Sequence, residues 1–154
     1  MNSRTRLWVG SLLVAGALLI VACGGGSSGG DSGGGLTVSS DGENLAYKPA
    51  SLSVAAGSSV SLTFVNESAA QQHNWVLVAG GDDVALTVDE AALDAGPPNY
   101  VPAGDANIVA ATNMVAPGGK ATITFTAPAA GTYTFLCTYP AHYAGGMKGT
   151  LTVN

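Results

Sequence analysis

Lys120–Thr126 reads KATITFT, a run in which Ala121, Ile123 and Phe125 alternate with polar or small neighbours. Only an extended chain places every second side chain on one face, so the run fits a half-buried strand and no helix. Short runs of similar texture recur at Leu36–Val38, Leu52–Val54, Val60–Val65, Thr132–Cys137 and Lys148–Val153, with Leu45–Tyr47 either continuing the first of these or pairing beside it. Turn residues separate them, among them Ala56-Gly57-Ser58, Ala116-Pro117-Gly118-Gly119 and Pro128–Gly131. His73–Val78 (HNWVLV) is nearly all apolar past its start, which predicts a strand covered on both sides or central in a sandwich, and Ile108–Val115 predicts another. Val84–Ala95 is the one helical stretch, with Asp89, Glu90 and Asp94 on its polar side and Gly96-Pro97-Pro98 as its stop. The expected fold is all-β: a Greek-key sandwich of seven to eight strands over residues 36–154, with one short helix in an excursion around residues 84–107.

The N-terminus has a different texture. Arg4 and Arg6 precede an apolar stretch, Leu7–Ala22, which is short for a spanning helix. The stretch ends in Ile20-Val21-Ala22-Cys23, which resembles a bacterial lipobox, where cleavage before the cysteine leaves its sulfur carrying a diacylglycerol. Residues 1–22 therefore read as a lipoprotein-type signal peptide, with an uncleaved anchor helix as the alternative. Residues 24–35, GGGSSGGDSGGG, contain nothing apolar to bury and read as a flexible linker behind Cys23. Either reading places the sandwich outside the cytoplasm, on the periplasmic face of the cell membrane. Without residues 1–22, three lysines stand against ten acids, a balance of −7. Three cations neutralise few phosphates, so nucleic acid is not an expected partner.

The chemistry concentrates at Cys137-Thr138-Tyr139-Pro140-Ala141-His142, continued by Tyr143-Ala144-Gly145-Gly146-Met147. Thiolate and thioether sulfur favour Cu(I), and imidazole accepts either copper state. The remaining ligand is His73, the only other histidine in the chain. It opens one strand while Cys137 closes another, and a two-sheet sandwich can bring both to one pole. The set is then two histidines and a cysteine in a trigonal arrangement with an axial methionine, the pattern of an electron-transfer copper site. Zinc also accepts cysteine and histidine, but it leaves the methionine spacing without a purpose. Pro140 restricts the ligand loop, and Gly145-Gly146 lets it turn back toward Met147.

His73-Asn74-Trp75-Val76-Leu77, the Cys137–His142 segment and Met147-Lys148-Gly149-Thr150-Leu151 together resemble the azurin branch of the cupredoxins over all of residues 36–154. The four residues between His142 and Met147, the lipobox and the Gly/Ser tether look most like the auracyanins, the membrane-associated blue copper proteins of filamentous anoxygenic phototrophs. The resemblance implies one type 1 copper ion, with His73, Cys137 and His142 as strong equatorial ligands and Met147 as the weak axial one. It also implies that Asn74 braces the ligand loop through hydrogen bonds. Gln72 stands where azurins have a glycine whose carbonyl approaches copper, so a fifth ligand does not carry over. The azurin disulfide cannot form in a mature chain with one free thiol.

The function expected is that of a membrane-tethered, monomeric one-electron carrier. By resemblance, a membrane quinol-oxidising complex is the donor and a reaction-centre or other c-type cytochrome the acceptor. The small or apolar neighbours of His142 offer a weak docking surface. A copper enzyme needs further histidines, and both are already used. A copper chaperone or storage module is the alternative, and a metal-free adhesion sandwich would leave the ligand pattern unexplained.

Overall fold

A computed structural model describes residues 35–154; the signal or anchor segment 1–22, Cys23 and the linker up to residue 34 lie outside the described residues. Among the described residues, nine strands form two sheets. In the first, β2 (Asn44–Lys48), β1 (Leu36–Asp41), β4 (Ser59–Val65) and β7 (Lys120–Thr126) lie side by side in that order. The second runs β3 (Ser51–Val54), β9 (Lys148–Val153), β8 (Gly131–Leu136), β5 (Val76–Val78) and β6 (Ile108–Ala111). The β1–β4 and β3–β9 ladders are parallel, and all the others are antiparallel.

The alternation of KATITFT is used as its period demands. Ala121, Ile123 and Phe125 pair in register with Phe64, Leu62 and Val60 of β4, whose side chains are buried. Trp75, Leu77, Phe135 and Leu151 meet them from the other sheet and complete the core between the layers. Each fully buried side chain of this size contributes about 1.5–3 kcal/mol. The strand count exceeds seven to eight because Asn44–Lys48 folds back on β1 as a strand of its own. Gly42, at φ 56°, makes that reversal in a region L side chains rarely enter.

The strand expected over His73–Val78 is shorter than its apolar run. Only Val76–Val78 joins the ladder. The amide of Trp75 donates to the Thr112 hydroxyl (3.0 Å), while Thr112 N donates to Trp75 O (2.9 Å). A side-chain hydroxyl thus replaces one rung, and His73 is held separately by an isolated antiparallel bridge to Val115. Ile108–Val115 is shortened at the same place, to Ile108–Ala111.

The helix α1 spans Asp82–Ala95, two residues longer at its start than the expected Val84–Ala95. Asp82 and Asp83 occupy the first turn, where the positive end of the helix dipole favours carboxylates. Ala85, Val88 and Ala92 recur at helical spacing and are buried. Ala85 and Val88 pack with Val76, Val78 and Leu136 on the outer face of the second sheet. This cover explains why β5 is apolar on both faces. Gly96, at φ 63°, ends the helix by donating its amide to Ala92 O (3.1 Å).

Candidate metal centre

His73, Cys137 and His142 converge at one pole of the sandwich. His73 reaches it from the bridge to Val115, Cys137 lies one residue past β8, and His142 lies in the turn leading to β9. Their donor atoms form a triangle. His73 Nδ1 and His142 Nδ1 are 3.1 Å apart, and Cys137 Sγ stands 3.5 Å from the second and 3.8 Å from the first. A first-row ion bound at lengths typical of zinc, about 2.0 Å to nitrogen and about 2.3 Å to sulfur, would spread a planar trio to edges of about 3.5 and 3.7 Å. The triangle therefore fits a metal ion with small adjustments.

Met147 is fully buried and tied by its backbone to two of the others. Its amide donates to His142 O (3.0 Å), and its carbonyl accepts from Cys137 N (3.1 Å). Gly146, at φ 102°, makes the turn that brings Met147 back. Ala141 also has positive φ (68°), a strained choice for a residue with a Cβ.

Electrostatics favour the metal-ready forms of the histidines. Burial pushes the Cys137 thiol up to about 11, against smaller opposing contributions from the amides of Asn74 and Tyr139. Burial, then the proximity of His73, pushes His142 down to about 4. Burial also lowers His73, opposed by the charge of Glu43. At neutral pH the imidazoles are uncharged with lone pairs to offer, and a metal must displace the thiol proton. Two sulfurs and two imidazoles in a dry pocket suit copper better than harder cations.

Around the donors runs a hydrogen-bond frame. Asn74 accepts from Thr138 N (2.9 Å) and donates to Thr138 Oγ1 (2.8 Å) and Asn99 O (3.1 Å). Thr138 Oγ1 donates onward to Tyr100 O (2.6 Å), and the Tyr47 hydroxyl donates to Asn74 O (2.6 Å). The approach to His73 is fixed by Asn66, which donates to Gln71 O and Val115 O, and by Glu43, which accepts from Ser68 Oγ and Ala69 N. Pro140 is half-buried in the ligand loop. Thr138 and Tyr139 were not among the expected site residues. Tyr139 lies over His142 with ring centroids 4.7 Å apart, and its aromatic character between two ligands was the available signal.

The profile of copper binding proteins of the plastocyanin/azurin family matches residues 35–154. Auracyanin-A of Chloroflexus aurantiacus is 47% identical over 120 residues, covering 77% of this chain and 74% of that protein. Auracyanin-B of the same organism is 50% identical over 111 residues, 71% of this chain and 47% of its own length. The solved structure of dithionite-reduced auracyanin from the photosynthetic bacterium Roseiflexus castenholzii superposes with a TM-score of 0.78 at 59% identity, covering 82% of this chain and 99% of that one.

Proposed function

The chain belongs to the plastocyanin/azurin family of copper-binding proteins, as an auracyanin-like blue copper electron carrier, and we propose that it works tethered to the extracytoplasmic face of the cell membrane, taking electrons from a quinol-oxidising complex and passing them to a c-type or reaction-centre cytochrome. The observation that carries the carrier reading is the buried convergence of His73, Cys137 and His142 beside Met147. Lipidation of Cys23, or retention of residues 1–22 as an anchor, supplies the tether in this reading.

Copper, when bound, supplies a Cu(II)/Cu(I) one-electron couple. The chain's own part is to hold His73, Cys137, His142 and Met147 so firmly that little moves when charge changes. Cys137 and Thr138 are pinned through backbone and Asn74 bonds, and His142 and Met147 through each other. Water is kept out because His73, Cys137 and Met147 are fully buried and His142 is 5% exposed. Ala141, Ala144, Gly145 and Gly146 are exposed around His142, an uncharged surface suited to brief docking. Half-buried Tyr139, packed against His142 with the rings tilted at 52°, extends that contact surface. The same burial opposes the chaperone or storage reading, since metal handed between proteins needs reachable donors.

Cu(II) added to the purified protein should give an intense blue colour and a type 1 EPR spectrum, reversibly bleached by ascorbate. A colourless protein that prefers zinc refutes the carrier reading. Mass spectrometry of the native N-terminus tests the tether, with a diacylglycerol on Cys23 or an intact residue 1 as the two anchored outcomes.

A further inference from the structure

The outer face of α1 is built against its own stability. Leu86 and Leu93 are 49% and 54% exposed, the two exposed large hydrophobic side chains among the described residues. Seven residues apart, they stand one above the other, and Asp83, Glu90 and Asp94 fall within about 100° of arc of them. Glu90 and Asp94 are like charges at i, i+4, which repel. Asp94 also lies in the last turn, where the dipole disfavours a carboxylate and where α1 has no basic residue. Five of the nine acids in residues 35–154 lie on this helix, and the one lysine that reaches it, Lys148, pairs with Asp82. Folding alone gives no reason for such a face.

The helix is also wired to the metal pole at both ends. At its start, the Tyr143 hydroxyl of the ligand loop donates to Asp82 O (3.1 Å), and Lys148 lies over the Tyr143 ring while pairing with Asp82. Just past its end, Asn99 O and Tyr100 O accept from Asn74 and Thr138. A body resting on α1 therefore lies alongside the ligand loop.

We propose that this face docks a cationic redox protein, with Leu86 and Leu93 as the apolar contact and Asp83, Glu90 and Asp94 as the charged frame. The occupant follows from the charge. A second copy would bring the same acids against themselves, and an anionic lipid surface would be repelled, whereas a basic protein gains on both counts. The proposal rests on the carrier reading and adds to it where a partner is held.

The test is stopped-flow electron transfer between the copper-loaded protein and mitochondrial cytochrome c, used as a basic probe, at low and high ionic strength. Glu90→Gln and Asp94→Asn each remove one negative charge, and Thr124→Lys, exposed on β7 in the other sheet, changes the net charge equally. The two helix variants should slow the low-salt reaction two- to fourfold, with the difference lost at high salt, while Thr124→Lys changes it by well under twofold. Leu86→Ser with Leu93→Ser should weaken saturation by about fivefold at either salt, a loss of about 1 kcal/mol. Equal effects of all three charge changes, or no effect of the serines, overturn the proposal. So does a dimer in ultracentrifugation that the serines dissolve, or capture of the face by residues 1–34 seen as protection of Leu86 and Leu93. Ascorbate bleaching of every variant keeps these outcomes separate from a failure of the carrier reading itself.

Discussion

Asn74→Ala should destabilise the metal-free protein by about 3–5 kcal/mol. The side chain makes three hydrogen bonds, and two of them leave a group unpaired when it goes. Thr138 N loses its acceptor inside the fully buried frame. Asn99 O loses the Asn74 donor. Thr138 Oγ1 is spared, because it keeps its donation to Tyr100 O at 2.6 Å. Two orphaned groups at about 1–3 kcal/mol each give about 2–6, and the small cavity left by the carboxamide adds to it. Urea unfolding of the metal-free variants measures the loss. A double-mutant cycle with Thr138→Val then isolates the Asn74 Nδ2–Thr138 Oγ1 bond, for which a coupling of about 0.5–1.5 kcal/mol is expected, while the bond from Thr138 N stays out of the cycle. In the copper-loaded protein, Asn74→Ala should also broaden the EPR spectrum, because Thr138 follows Cys137 directly. A loss below 1 kcal/mol, or energies that add with no coupling, would show that the frame does not brace the site.

Gly149→Ala should cost about 2–3 kcal/mol in the same assay, because a Cβ there would stand 2.2 Å from Phe135 Cζ and 2.6 Å from Ala50 O. Phe135 is fully buried and Ala50 O is backbone, so neither can yield cheaply; a neutral result would mean the β3–β9–β8 strands are more loosely packed at this pair than described. Ala141→Gly should raise the melting temperature by a few degrees in thermal unfolding, because release of the positive φ outweighs the added freedom of the unfolded chain; an unchanged or lower melting temperature would refute this. Stability of the metal-free protein should fall as pH drops from about 6.5 to about 4, and further below that as Asp41, Glu43 and Asp82, held low by their hydrogen-bond partners, take up protons. Burial holds the folded His142 down to about 4, so between those values the unfolded chain binds more protons. The loss from His142 is about 2–3 kcal/mol, and His142→Gln should reduce the slope while His73, also lowered by burial, keeps its own share; an unchanged slope would place the titration elsewhere.

The sandwich was legible because its strands alternate where one face is covered, as in KATITFT, and the site because its three donor types, thiol, imidazole and thioether, occur in so few places. The shortened β5 was not legible. Its apolar run continues through Trp75, and nothing local reveals that the Thr112 hydroxyl takes the place of a carbonyl. The early start of α1 was hidden because Asp82-Asp83 after glycines also reads as a turn. Least visible was the use of the excursion. Its helix could be found from its acids and its stop signal, but Asn99 and Tyr100 serve the site through main-chain carbonyls. A carbonyl leaves no trace in residue type. Thr138 was a side chain in plain sight, yet its partners lie 64 and 38 residues away.

The donors also differ in how far the chain must travel to assemble them. Cys137 and His142 are five residues apart, whereas His73 and Cys137 are separated by 64. Closing the longer loop costs roughly 2 kcal/mol more in chain entropy. An unfolded or newly made chain therefore already carries a partial chelator between Cys137 and Met147, before the sandwich exists. Copper met at that stage would bind both states of the protein, which caps the stabilisation it can give the folded one. It would also give the β8–β9 hairpin a reason to form early, leaving the arrival of His73 as the step that reports completion of the fold.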